Sequence, residues 1–365
     1  MNHTLRSIYK SLLLVSVFLC LCVPARSAAP PSDFKVRAFY LDCRTQVMTV
    51  SAIKELASDL SKKEINTLLI EYEATFPFQK HATLCNQLAF SRSEVQDIVS
   101  YCTSLGIEVI PLQNCFGHCE YILRHDRYAH LREDSKEVSQ VCPLKIEEAK
   151  KVFREIFREV AELHPSPYFH IGADEVEKDN WEQCEVCQQL MQQEGYQKVD
   201  ELQNRFVKIM TNYVKGKGKK VMGWDDAFLE KDPQDLIYTY WRDWLPDQPG
   251  KITQKGYPIV FMEWSRFYLS ATPSDEGLSS LYNFEFEPQF PSIVKQNVLG
   301  FQACVWTEMI PNERKFGQHV FPSLQAFSEL AWGSDRNWID FTNRLKWHIK
   351  WLNENGFYFT KPGFI

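Results

Sequence analysis

Residues 35–71 read KVRAFYLDCRTQVMTVSAIKELASDLSKKEINTLLIE. The run Lys35–Leu41 is a strand candidate. Thr49–Lys63 places Ile53, Leu56, Ala57 and Leu60 at the three- and four-residue spacing of one helix face. Asn66–Glu71 is the next strand candidate. Strand, helix and strand in this order form a βαβ unit, which implies parallel pairing. The turn out of the first strand is Leu41-Asp42-Cys43-Arg44. A doubly wound sheet would want a Gly-rich phosphate turn there, so that architecture is disfavoured.

The alternation continues along the chain. Ser91-Arg92-Ser93-Glu94 is a capping box that opens a helix to Leu105, and Gly106 stops it. Ile107–Leu112 is strand three, and Lys145–Leu163 is an amphipathic helix ended by His164-Pro165. Tyr168–Ile171, Lys219–Gly223, Leu236–Tyr240, Pro258–Met262 and Val298–Val305 supply five more strands. Helical stretches include Val199–Lys215, Ser323–Trp332 and Trp338–Asn353. Eight strands, each followed by loop or helix, predict an α/β fold with a closed (β/α)8 TIM barrel as a single catalytic domain over residues 28–365. The loops after strands three, seven and eight are long, which marks them as functional.

Composition narrows the classes. The net charge is −6 and there is no basic stripe, so no nucleic-acid partner is expected. Ten Trp exceed what a core alone uses, and indole faces pack on the apolar faces of sugar rings. The start reads as a signal peptide over residues 1–27. Arg6 and Lys10 precede the apolar stretch Leu12–Val23, and Ala25-Arg26-Ser27 supplies a small-residue cleavage site. Export, to the medium or the periplasm, follows from that reading; an uncleaved membrane anchor is the alternative. No later segment has the apolar length of a membrane span. Eleven cysteines, less Cys20 and Cys22 in the signal, leave nine, an odd number. Cys184-Glu185-Val186-Cys187 is either a short-loop disulfide or half of a structural zinc site, with Cys115-x-x-x-Cys119 as a second pair. No catalytic metal and no cofactor are assigned.

The carboxyl ends of barrel strands carry active sites. Polar and aromatic residues gather there: Asp42 and Arg44; Glu71 and Glu73; Gln113, Asn114 and His118; Asp174 and Glu175; Trp224, Asp225 and Asp226; Trp241, Arg242 and Asp243; Glu263, Trp264 and Tyr268; Trp306 and Glu308. Many carboxylates beside several indoles, with no Ser nucleophile elbow and no His-rich metal triad, point to glycoside cleavage. That chemistry needs an acid for the leaving oxygen and a group that steadies a cationic ring. Adjacent Asp174 and Glu175 suit that division, since one ionised carboxylate raises its neighbour's affinity for a proton. The dipeptide alone is equally readable as the acidic first turn of a following helix.

The segment His170-Ile171-Gly172-Ala173-Asp174-Glu175-Val176 resembles the signature of glycoside hydrolase family 20, the β-N-acetylhexosaminidases. Gly106-Ile107-Glu108-Val109-Ile110-Pro111 with Gly117-His118, Gly223-Trp224-Asp225-Asp226, Phe267-Tyr268-Leu269 and Ala303-Cys304-Val305-Trp306-Thr307-Glu308 are similar to further blocks of that family. Leu69-Ile70-Glu71-Tyr72-Glu73 and Phe116-Gly117-His118-x-Glu120 resemble its compact hexosaminidase D branch. Asp42-x-Arg44 sits where the family's sugar-gripping Arg belongs, one residue closer than usual. Many members carry an extra α/β domain before the barrel, whereas here strand one follows the signal closely.

The resemblance implies an exo-acting retaining enzyme that removes terminal β-linked GalNAc or GlcNAc, leaning to GalNAc. The substrate's 2-acetamido group would be the nucleophile, through an oxazolinium intermediate. Glu175 is the implied acid/base, Asp174 the group that orients the acetamide and steadies its charge, and Tyr268 the donor to its oxygen. Trp224, Trp241 and Trp306 are the implied walls, with Trp264 competing with Trp241 for one of them. Arg44, Glu308 and His118 would grip hydroxyls or brace the carboxylates. The rival readings are a carbohydrate-binding barrel without chemistry and a retaining glycosidase with a carboxylate nucleophile. Trp332, Trp338, Trp347 and Trp351 on late helices are expected to pack.

Overall fold

A computed structural model describes residues 32–333 and 335–365. The signal-peptide reading of residues 1–27 lies outside the described residues. Eight parallel strands close in sequence order, β1 to β8, with β1 also paired to β8. They are β1 Val36–Asp42, β2 Thr67–Glu71, β3 Glu108–Cys115, β4 Tyr168–Gly172, β5 Lys220–Trp224, β6 Ile237–Tyr240, β7 Ile259–Phe261 and β8 Val298–Val305. This is the (β/α)8 barrel.

Local chemistry explains the elements. The first helix, Val50–Lys62, is capped by Thr49, whose hydroxyl accepts from the amide of Ala52 at 3.2 Å. Its buried face is Ile53, Leu56, Ala57 and Leu60. In the helix Arg92–Ser104 the capping box forms in both directions: Glu94 N–H donates to Ser91 Oγ at 3.2 Å, and Ser91 N–H donates to Glu94 Oε2 at 2.7 Å. Strand β2 is buried at every position, as a strand covered on both faces must be.

Two differences from the sequence reading have physical causes. Strand β3 runs on through Gln113, Asn114 and Cys115, because Cys115 still pairs with Gly172 of β4. Strand β7 is trimmed at Pro258, which has no N–H for the ladder. Between β5 and β6 the connection is a loop with one 3-10 turn, Asp225–Ala227, so β5 is one of the strands followed by loop and not by helix. The late tryptophans also divide. Trp338 meets Tyr282 and Phe341, but Trp347 and Trp351 on the helix Trp338–Glu354 are 73% and 46% exposed, so they do not pack as expected.

The core on the β7–β8 side fixes a site segment. Phe267 stacks on Phe301 of β8 at 5.6 Å, and Phe284 and Phe286 surround Phe301. The next residue, Tyr268, bridges to Cys304, and Leu269 N–H donates to the Cys304 carbonyl at 2.9 Å. The chain after β7 is thereby laid along the end of β8.

Candidate active site

The end of β4 leaves the strand through left-handed backbone: Gly172 at φ 70°, Ala173 at 74° and Glu175 at 46°. A non-Gly residue held there costs about 1–3 kcal/mol and persists only where its surroundings enforce it. The enforcement is visible. Gln203 Nε2 donates to the Ala173 carbonyl at 2.9 Å. A Cβ on Gly172 would stand 2.1 Å from Asn114 Oδ1, and one on Gly117 would stand 2.3 Å from the Asp174 carbonyl oxygen. Only bare backbone lets the β3 and β4 loops approach this closely. No helix begins until Asp179, so Asp174 and Glu175 are not the first turn of a helix.

Charge is divided between the two carboxylates. His118, itself at φ 47°, places Nε2 3.3 Å from Asp174 Oδ2 and 3.2 Å from Glu175 Oε2. The Asp174 charge pushes the imidazole up to about 12 against the opposing effect of burial, so it is an imidazolium at neutral pH. Burial would raise Asp174, but the cation and hydrogen bond of His118 hold it below the usual carboxylate range. Asp174 Oδ1 is buried and has no hydrogen-bond partner among the described residues. The Glu175 side chain is 55% exposed.

Strands β1, β2 and β8 supply a second charged group. Asp42 is buried and accepts from the amide and side chain of Arg44 at 2.7 and 3.1 Å, and from the amide and hydroxyl of Thr307 at 2.8 and 2.9 Å. It thus ties the ends of β1 and β8 together and aims Arg44. Arg44 then lies 3.3 Å from Glu71 and 3.5 Å from Glu308, with its guanidinium 5.2 Å from the Trp306 ring centre. Asn114 donates to both Glu71 and Glu73, and Tyr40 donates to Glu71. Burial and the neighbouring Glu73 raise Glu71 well above the usual range, and burial raises Glu73 to about 7.

The walls are aromatic. Trp306 lies 6.2 Å from Trp224 and 5.6 Å from Tyr268. Burial, with the charges of Asp174 and Glu175 nearby, raises Tyr268 well above its ordinary value, so it is a hydroxyl donor. Trp241 donates its indole N–H to Asp226 Oδ2 at 2.7 Å. Asp226 Oδ1 lies 3.4 Å from the Glu175 amide nitrogen, and Arg242 pairs with both Asp225 and Asp226. Burial raises Asp226 to about 7. Of the two competing indoles, Trp241 is the anchored wall, whereas Trp264 stands 54% exposed at the mouth.

All ten candidate residues line one pocket of about 250 Å³: Arg44, His118, Asp174, Glu175, Trp224, Trp241, Trp264, Tyr268, Trp306 and Glu308. That is below the roughly 300–1,000 Å³ of pockets for drug-sized ligands and suits a single sugar ring. Glu71 and Met309 complete the lining. Sequence reasoning sets Glu71 at a strand end without giving it a role and does not single out Met309, an apolar residue in a loop with no periodic signal. Asp226 and Asn114 stand at the right strand ends, but their contacts do not follow from position.

All nine described cysteines are free thiols, so the disulfide reading of Cys184 and Cys187 is not realised. No group of three or more His, Cys, Asp or Glu side chains among the described residues is placed to hold a metal ion. No helix of the described residues is long and apolar enough to cross a membrane.

Residues 34–335 match the family described as "Glycosyl hydrolase family 20, catalytic domain". A β-hexosaminidase of Vibrio furnissii is 23% identical over 351 residues, covering 81% of this chain and 56% of its own length. Hexosaminidase D of Bos taurus is 36% identical over 143 residues, 39% of this chain and 41% of its own length. The chain spans about half the length of the curated relatives it matches. Among solved structures, the GH20 exo-β-N-acetylglucosaminidase of Vibrio harveyi in complex with N-acetylglucosamine superposes with a TM-score of 0.77 at 23% identity. It covers 90% of this chain and 59% of that one, and shows the shared fold. With the match running through every strand of the barrel, the chain belongs to glycosyl hydrolase family 20.

Proposed function

We propose that this protein is an exo-acting, retaining β-N-acetylhexosaminidase that cleaves terminal β-linked GalNAc or GlcNAc from glycans or glycoconjugates. The observation that carries the reading is the state of Asp174. One of its oxygens is held by an imidazolium, and the other is buried without a partner among the described residues, in a pocket shared with a tyrosine hydroxyl donor and an exposed glutamate. A buried anionic acceptor with a free lone pair fits an amide N–H, and a neutral phenol fits the oxygen of the same amide. The sugar's 2-acetamido group is therefore gripped from both ends.

Held this way, the acetamide oxygen attacks the anomeric carbon from within the substrate, a geometry with high effective molarity. Glu175 protonates the leaving oxygen, and its exposure suits the later removal of a proton from incoming water. Asp174 balances the positive charge of the oxazolinium-like intermediate, and His118 keeps Asp174 ionised throughout. Trp224, Trp241 and Trp306 wall the ring, while Arg44 and Glu308 bond its hydroxyls. Every charge in the scheme is supplied by protein or substrate, without a cofactor. Cleavage of residues 1–27 as a signal peptide would place this activity outside the cytoplasm.

The test is hydrolysis of chromogenic β-GalNAc and β-GlcNAc glycosides by the wild type and by Glu175→Gln. The variant should lose roughly 10²–10⁴-fold in rate. A wild type that binds N-acetylhexosamine in calorimetry but turns over neither glycoside would contradict the reading.

A further inference from the structure

We propose that Trp264 is the platform for a second sugar ring, so that the leaving group is itself a sugar and the substrate is the end of an oligosaccharide. This rests on the hydrolytic reading and names the substrate class of the same pocket. An exo-acting site holds the terminal ring inside, and the group beyond the scissile bond lies at the mouth. The pocket of about 250 Å³ suits one ring, so whatever recognises the leaving group stands at its edge or outside it.

Two indoles stand there. Trp264 lines the pocket yet is 54% exposed, and Trp244, beyond the lining, is 56% exposed. Both adjoin the pocket wall Trp241. The Trp264 amide donates to the Trp241 carbonyl at 2.9 Å, and the Trp244 ring meets the Trp241 ring edge-on, with centres 4.9 Å apart and planes at 87°. Aromatic surface therefore continues from the pocket wall out to solvent, with Trp264 at the boundary. Met309 is the other exposed apolar residue of the lining.

The platform is braced. The Ser265 amide donates to Asp243 Oδ2 at 3.1 Å, which ties the β7 loop to the β6 loop. Arg266 pairs with buried Glu263, which also accepts from Gln289 Nε2 at 2.8 Å, and Arg266 Nε donates to Ser280 Oγ at 3.1 Å. The turn Trp264–Phe267 ends in Phe267, stacked on Phe301 in the core. A braced backbone carries the indole, so less ordering is left to the moment of binding. An apolar surface rimmed by polar groups marks a binding site. Here the rim includes exposed Ser265 and half-buried Asp243. A pyranose has the matching form, an apolar C–H face that packs on an indole and a polar edge of hydroxyls. A lipid chain would leave that polar rim without partners.

The test compares three β-glycosides of one N-acetylhexosamine: the methyl glycoside, a disaccharide whose second ring is the leaving group, and the n-octyl glycoside. The full-length wild type, Trp264→Ala and Trp264→Phe are assayed on each. In Trp264→Ala the ratio of kcat/KM for the disaccharide to that for the methyl glycoside should fall about tenfold, and Trp264→Phe, which keeps a flat ring, should recover most of it. A ratio unchanged in Trp264→Ala would overturn the proposal, because a general disturbance of the pocket lowers both substrates alike. A loss confined to the octyl glycoside would also overturn it and assign the indole to an apolar leaving group. A wild type that cleaves none of the three would contradict the hydrolytic reading itself, and this inference with it.

Discussion

Asp174 and His118 are a charge pair across two loops: Oδ2 of the aspartate, at the end of β4, lies 3.3 Å from Nε2 of the histidine, beyond β3. The imidazolium offsets the burial that would otherwise neutralise the carboxylate. The lowered Asp174 contributes stability above its unfolded value, near 3.9, that is lost as pH falls through the folded value. The raised His118 contributes stability that is full below about 6.5 and lost as pH rises through about 12. Replacing His118 with Gln removes the cation, so Asp174 should take up a proton at higher pH. We expect kcat to fall by about 10–100-fold and the acidic limb of its pH profile to move upward. A profile with an unmoved limb would show that another group sets the ionisation of Asp174.

Arg44 serves binding more than chemistry. It is held by Asp42, Glu71 and Glu308 and lies over Trp306. Lysine keeps the charge but loses the planar fork. Arg44→Lys should raise KM and lower kcat/KM by about tenfold, which is about 1.4 kcal/mol of lost binding. Steady-state kinetics that show the loss in kcat alone would contradict this assignment.

Asp226 links the Trp241 indole to the Glu175 backbone and is raised to about 7 by burial. Its unfolded value is near 3.9, so the stability gained by burying it as the neutral acid is full below that and lost as pH rises through about 7. Asp226→Asn stays neutral at every pH. Relative to wild type, the variant should gain on the order of 2 kcal/mol between pH 5 and pH 8. Urea midpoints for both proteins at the two pH values measure this. A pH-independent difference would place the titration elsewhere.

Gly117 is expected to tolerate no side chain, although its φ lies outside the left-handed region. The added methyl of Gly117→Ala meets the Asp174 carbonyl at 2.3 Å, and backbone cannot turn aside as a flexible side chain can. The substitution should cost about 1–3 kcal/mol of stability. It should also depress activity beyond the folded fraction, because it displaces Asp174. Full activity per folded molecule would show that the loop gives way without cost.

The strands were legible because they follow from periodicity; the rule that strand ends carry the site gathered a wider set of polar and aromatic residues, and the family resemblance picked the pocket residues out of it. Lys35–Leu41 and Val298–Val305 stood out as apolar runs, and the indoles stood immediately beyond such runs. Contacts between distant loops were not legible. Asp42 holding Thr307, and Gly117 lying against Asp174, depend on how the closed barrel brings β1 to β8 and β3 to β4. Trp347 shows the converse limit: a bulky apolar residue at helical spacing invites burial, yet its face of the last helix meets no neighbouring layer and stays exposed.

The most direct test of substrate-assisted cleavage is the ratio of kcat/KM for a chromogenic N-acetyl-β-hexosaminide to that for the matching β-hexoside with a plain 2-hydroxyl. If the acetamide supplies the attacking oxygen, the second substrate lacks the nucleophile, and its kcat/KM should be lower by roughly 10³-fold or more. Hydrolysis of the two within about tenfold of each other would point to a nucleophile on the protein and contradict the role of Asp174 as the partner of the acetamide.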